Sequence, residues 1–324
     1  MPEPSPMLTA PARRAMQALV ANLLGNPVEV AVDALPLTLV RRHMLAPLAH
    51  RAGAATLRND FIASALQAER RAALAVEALA ALGDAGVAVI LLKGIAYTGT
   101  LYADPAERPM SDIDLLVRAA DFDRAARALL RLGYWHAGGA AQITVTRHAL
   151  TLKRRDSAID LHRHILHAGR SRIDLAAVWH DARPSHLAGA LRAAPLHEYL
   201  LHVAHIGRHE GGVPLINFVD AARLRARVPA AEVNALAAAW SVARATAAVS
   251  RALEGLRAGS ADGEPGSARG LGFPTSAELI AFASPPRWLQ LVRKVHMVDD
   301  WRGLVGLAAA TARSRVAPLR RRSE

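Results

Sequence analysis

Asp112 and Asp114 stand two residues apart in the stretch Ser-Asp-Ile-Asp-Leu-Leu-Val at 111–117. If that stretch is a strand, successive side chains point to opposite faces. The two carboxylates then share one face, while Ile113, Leu115 and Val117 turn toward a core. Two carboxylates aimed at one spot call for a cation. Hard divalent ions such as magnesium take oxygen ligands, keep several waters, and usually sit between one or two carboxylates and substrate phosphates. A nucleoside triphosphate site is therefore the first hypothesis. A third acid, Asp160, lies in Ala-Ile-Asp-Leu-His at 158–162. Its neighbours Ile159 and Leu161 face the other way, so Asp160 can share the face of the first pair.

The elements that must position these acids are legible around them. Residues 87–92 form a short, continuous apolar run rich in β-branched residues, which reads as a buried strand. Lys93-Gly94 ends it, and 95–101 begins a helix, so Gly94 falls at a strand-to-helix turn where backbone N–H groups can meet phosphate. The segment 102–111, with Pro105 and Pro109, is a loop, and 112–117 is the second strand. Asp121 is placed to cap a helix running to about Leu132, which Gly133 closes. Residues 142–153 alternate as a strand, 154–157 make a turn, and Asp160 rides on the strand that follows. Upstream, helical spacing covers 11–24, 35–52 and 58–83. Downstream it covers 172–181, 195–209, 215–226, 230–257, 275–283 and 286–313. The Gly/Ser/Pro stretch 259–272 reads as a linker or loop. The expected class is α+β, with a small mixed sheet at 86–168 between helical regions at 1–85 and 169–324.

The whole chain sets bounds on this site. With 324 residues and 52% hydrophobic content, it can bury a sizeable core. It has no cysteine, which excludes disulfides, thiolate chemistry and zinc-finger sites. No apolar run approaches the roughly 18 residues of a membrane span, and the first residues lack a signal-peptide pattern, so a cytoplasmic protein without stable membrane insertion is expected. The net charge is +12, and only three of the 40 basic residues are lysine: Lys93, Lys153 and Lys294. Between Arg287 and Glu324, nine Lys or Arg face three Asp or Glu, so half of the net charge lies there. A basic tail of this kind touches nucleic acid, an anionic membrane or an acidic peptide, or is simply a solvated terminus.

The ordered combination Leu92-Lys93-Gly94, Leu101-Tyr102, Arg108, Asp112 to Val117, Leu132-Gly133-Tyr134 and Asp160-Leu161-His162 resembles the nucleotidyltransferase superfamily, and within it an uncharacterised nucleotidyltransferase family. The match covers about residues 87–165, with a weaker echo in the Asp-bearing segment 215–224. The resemblance implies transfer of a nucleotidyl group from a nucleoside triphosphate, with ATP expected, to an acceptor hydroxyl or phosphate. It also implies a requirement for Mg²⁺ or Mn²⁺. On that basis Asp112, Asp114 and Asp160 are the catalytic and metal-binding residues, with Asp160 nearest the acceptor and able to help deprotonate it. Lys93, Gly94 and Arg108 are the triphosphate-binding set. An ammonium on a flexible stem suits a shifting phosphate tail, and a guanidinium offers a planar fork to the β or γ phosphate. The turn departs from the Gly-Ser or Gly-Gly of better-known superfamily members, and 17 residues, Ile95 to Ser111, separate it from the acid pair.

Proteins of this appearance occur beside peptide natural-product pathways, including lasso peptides, which suggests a peptide or small-molecule acceptor. Two other readings are a toxin-like transferase acting on transfer RNA, encouraged by the basic tail, and a degenerate nucleotide-binding scaffold without turnover. His162 and His164 continue the face of Asp160 and would tune the metal site, meet acceptor phosphate or serve structurally. Ligands on successive pleats of one strand spread over about 13 Å, which argues against Asp160, His162 and His164 as a metal set by themselves. His197, His202, His205 and His209 have helical spacing but no H-E-x-x-H, and read as a polar helix face lining the acceptor cleft or as plain surface.

Overall fold

A computed structural model describes residues 8–136, 148–166, 171–259, 272–282, 285–299 and 304–305. The N-terminal helices are α1 (Ala10–Leu23), α2 (Leu37–Arg42), α3 (Ala46–Arg51) and α4 (Arg58–Asp84). The central region contains β1 (Ile90–Leu92), α5 (Lys93–Tyr97), β2 (Ile113–Leu116), α6 (Phe122–Arg131), β3 (Ala149–Arg154) and β4 (Ser157–His162). Next come α7 (Leu175–His180), β5 (Arg183–Pro184), β6 (Leu191–Arg192), α8 (Pro195–Arg208), α9 (Ile216–Arg225), α10 (Ala230–Ala239), α11 (Ala243–Ala258), α12 (Ser276–Ala281) and α13 (Arg287–His296). The architecture is the expected one: a mixed sheet flanked by N- and C-terminal helical regions. Among the described residues the sheet has six strands in the order β3-β4-β2-β1-β6-β5.

Local chemistry explains the departures from the sequence pattern. The helix expected over 35–52 is two helices, because Met44 takes φ +59°, and the one over 230–257 breaks where Ser241 takes φ +54°. A left-handed residue cannot continue a right-handed helix. Two-residue strands carry no readable periodicity, so β5 and β6 give no sequence signal. Asp121 precedes α6 but makes no capping bond; its carboxylate accepts from Arg124 instead. Gly133 closes the helix with φ +84°, as a C-terminal glycine should. Residues 142–147 of the expected strand, and the expected loop apart from 259 and 272, lie outside the described residues.

β2 is buried along its whole length, and β4 buries the face carrying Ile159 and Leu161 while Asp160 opposite is half-buried; Ile113, Leu115, Ile159 and Leu161 are all at 0–1% exposure. One continuous apolar cluster reaches from Leu19 of α1 through these strands to Val203 of α8 and Phe218 of α9. Register then places the acids. β2 runs antiparallel to β1 with Leu92 opposite Asp114, and parallel to β4 with Asp114 opposite Asp160. Lys93, the residue after Leu92, is therefore delivered to the side of Asp114.

Candidate active site

At the end of β1, Lys93 adopts φ +50°, a left-handed conformation costing a non-glycine residue about 1–2 kcal/mol. Its side chain is mostly buried, and the ammonium donates to Asp114 Oδ1 at 2.5 Å. His162, at the end of β4, shares that oxygen through Nε2 at 2.9 Å. Burial by itself would raise the Asp114 carboxyl, but the Lys93 charge and the His162 hydrogen bond outweigh it and hold the group down to about 2. Asp112 precedes the first residue of β2 and is half-buried; its carboxylate accepts from Ser111 Oγ at 3.2 Å. Burial, then the charges of Asp114 and Asp160, push its carboxyl up, with Lys93 opposing.

Asp114, Asp160 and His162 each offer a ligand atom, all within 4.8 Å of one another. Among the described residues this is the group of three or more acids and histidines close enough to hold one ion, and Asp112 stands beside it without being a member. Two carboxylates from adjacent parallel strands supply the oxygen donors that Mg²⁺ or Mn²⁺ prefers, so these residues fit such an ion. The His162 contact with Asp114 fixes the orientation of that carboxylate, as outer-shell partners of ligating carboxylates do. Strand spacing had argued against a cluster built along β4, but the cluster forms across strands, where His162 folds toward Asp114 of the neighbour.

The three residues expected to bind triphosphate are placed differently from one another. Lys93 lies at the acid cluster. Gly94 is buried behind it, and a Cβ there would come within 2.9 Å of Met110 Cβ, so close packing against the 102–111 loop demands glycine. Arg108 is 4% exposed and points into the protein. Its Nε and Nη2 donate to both oxygens of Asp220 at 2.6–2.9 Å, and Nη1 donates to the Pro109 carbonyl. Tyr102 donates to the same Asp220 at 2.7 Å, and Arg223 stacks over the Tyr102 ring at 4.1 Å. The fork expected on a phosphate is thus engaged in a buried clamp between the loop and α9.

Two groups near the site carried no distinctive sequence signal. Asp220 is visible only as the acid in the weak 215–224 echo. Arg208, at the end of α8, is half-buried with Asp160 as a charged neighbour, and burial lowers its affinity for the proton. Among 37 arginines nothing in the sequence distinguishes it. The α8 histidines are largely interior. His197 packs against Trp240 at 5.2 Å, and His202 accepts from Tyr97 through Nδ1 and donates to the Asn217 carbonyl through Nε2. His205 faces a pocket beside Lys93, and its ring lies 4.9 Å from that of His209.

A family model described as "uncharacterised nucleotidyltransferase" matches residues 34–255. No curated protein and no solved structure matches the chain. The matched span takes in the whole β1-to-β4 core, the Asp114, Asp160 and His162 cluster, and the Arg108–Asp220 clamp, and on that evidence the chain belongs to the uncharacterised nucleotidyltransferase family.

Proposed function

We propose that this protein transfers a nucleotidyl group from a nucleoside triphosphate, with ATP the expected donor, to an acceptor hydroxyl or phosphate, and that it does so with a divalent metal. The observation that carries this reading is the meeting of Asp114 and Asp160 side by side on parallel strands, with Lys93 on the same carboxylate. Asp112, Asp114 and Asp160 would hold Mg²⁺ or Mn²⁺, which supplies charge neutralisation on the phosphates and activation of the attacking oxygen. The chain's own residues do the rest. Lys93 leaves Asp114 for the β and γ phosphates and balances their charge. His162 keeps the Asp114 carboxylate oriented. Asp160 accepts the proton of the acceptor oxygen as that oxygen bonds to the α-phosphorus and the bond to the β-phosphate breaks, releasing pyrophosphate. Arg108 acts at one remove, anchoring the loop that packs against Gly94. Three units, 1–85, 86–168 and 169–324, are the proposed division of labour, with the C-terminal helices building the acceptor pocket.

A peptide or small molecule, as in lasso-peptide tailoring, is the acceptor class that the family resemblance supports. Incubation with labelled triphosphates, Mg²⁺ and candidate acceptors tests the assignment. Transfer and pyrophosphate release are expected, with both lost in Asp112→Asn, Asp114→Asn and Asp160→Asn. Undiminished transfer in the Asp114 variant would overturn the reading, whereas triphosphate binding without pyrophosphate from any acceptor would favour a scaffold.

A further inference from the structure

The cations beside the acids differ in what already holds them. Lys93 donates to Asp114. Arg71 of α4, on which Asp112 is the strongest acidic charge, donates through Nη2 to the Ser111 carbonyl at 3.1 Å and through Nη1 to Gln67 at 3.3 Å. Arg208 is the exception. It is half-buried with Asp160 as its strongest charged neighbour, yet it donates no hydrogen bond and closes no ion pair among the described residues.

The geometry of α8 explains where Arg208 stands. Leu201, His202 and His205 border one small pocket together with Lys93, so this face of the helix is turned toward β1. Arg208, three residues after His205 and seven after Leu201, continues the edge of that face. Gly207 lies on the opposite side, where a Cβ would come within 2.7 Å of Ala245 Cβ on α11. That close approach fixes the rotation of the last turn and keeps Arg208 on the side of the acids. His205 registers both cations: burial first, then the charge of Lys93, push its imidazole toward the neutral form, and Arg208 adds to the effect.

Resting on the nucleotidyl-transfer reading, we infer that Arg208 is the guanidinium of the triphosphate site, receiving an oxyanion of the phosphate chain on the Asp160 side while Lys93 meets the chain on the Asp114 side. Asp114 and Asp160 stand opposite one another on parallel strands, so the two cations flank the place where the phosphates must lie. Clustered carboxylates repel a triphosphate, and a guanidinium held near Asp160 without being bonded to it opposes that repulsion with its donors still open. Its planar fork can take two oxygens of one phosphate, which the Lys93 ammonium cannot do. Arg108, to which the sequence pointed for this task, is bonded to Asp220 and the Pro109 carbonyl instead. A phosphate on the acceptor has the same chemistry, and binding of the donor without acceptor separates the two sources.

The test is calorimetric binding of ATP, tripolyphosphate and adenosine, with Mg²⁺, to the native protein and to Arg208→Ala, Arg208→Gln and Arg208→Lys. The Ala and Gln variants should bind ATP and tripolyphosphate about tenfold or more weakly, the worth of a hydrogen bond to a charged group. The Lys variant should recover part of the loss, since it keeps the charge but not the fork, and whatever affinity adenosine has should be unchanged throughout. Undiminished binding of tripolyphosphate to Arg208→Ala would overturn the inference, even if acceptor binding fell, and so would a loss shared equally by adenosine. Either result leaves nucleotidyl transfer standing, whereas a native protein that binds no triphosphate would overturn both. Labelling of the native protein with phenylglyoxal decides the matter even if the variants do not fold. Tripolyphosphate with Mg²⁺ should protect Arg208, read by mass spectrometry of its peptide, and unchanged labelling of Arg208 would overturn the assignment.

Discussion

Asp112 and Asp114 look equivalent in sequence, yet their surroundings make them opposites. Asp114 is 3% exposed and its carboxylate is shared by Lys93 and His162, whereas Asp112 has Ser111 as its hydrogen-bond partner. Both substitutions with Asn should abolish transfer, but their melting temperatures should diverge. Asp114 titrates at about 2 in the folded protein against 3.8 for the unmodified group, a depressed value that stabilises the fold above the unfolded pKa. The shift corresponds to about 2 kcal/mol, present at neutral pH and lost as pH falls from about 4 toward 2. Thermal melts should therefore find Asp114→Asn clearly less stable at pH 6, with the gap roughly halved at pH 3 and closing only toward pH 2 and below. Asp112 carries the opposite sign, since its charged form is disfavoured, so Asp112→Asn should match or exceed native stability at pH 6. If the two variants melt alike across this range, the two carboxylates do not differ in this way.

At the level of elements, the turn after β1 and the loop before β2 are fitted to each other. Gly94→Ala would drive a methyl group against Met110 Cβ, and overpacking of this kind costs about 1–3 kcal/mol. Because the clash is with Cβ and not the thioether, Met110→Ala should fail to rescue Gly94→Ala, while Met110→Gly should restore part of the loss in urea denaturation. The Arg108–Asp220 clamp predicts a larger effect. Removing one partner of a buried ion pair strands the other, typically at 3–5 kcal/mol. Arg108→Ala should therefore lower stability by that order, and Asp220→Asn nearly as much. Were Arg108→Ala instead fully stable with only a raised KM for triphosphate, the guanidinium would be a phosphate contact after all.

Across the whole molecule, one apolar cluster joins the helical regions to the sheet, and no helix among the described residues is long and apolar enough to cross a membrane. The excess positive charge is a separate matter, since most of the basic segment after Arg287 that holds half of it lies outside the described residues. If transfer RNA were the acceptor, binding should weaken steeply between 50 and 200 mM salt, by about 10³-fold or more for six or more phosphate contacts. Removal of residues 313–324 should reduce that slope. A peptide or small-molecule acceptor should bind with little change over the same range, which filter-binding and calorimetric titrations can separate.

The sequence alone singled out Asp114 and Asp160 and the strands that carry them, because acids set between apolar residues at alternate positions fix which side chains share a face of a strand. It also determined the placing of Lys93 at a strand end and the sheet-between-helices plan. Three things were decided only in the tertiary structure. His162 reaches Asp114 because β4 lies parallel to β2 in a particular register, which no local pattern encodes. Arg108 turns inward because its partner, Asp220, is 112 residues away and arrives on α9. Glu198 is held inside the protein because β6, a strand too short to have a period, brings Arg192 to its Oε2. Periodicity records what the chain does with its neighbours in sequence; charge pairing in the interior depends on which elements pack together, and that is settled by burial over the whole core.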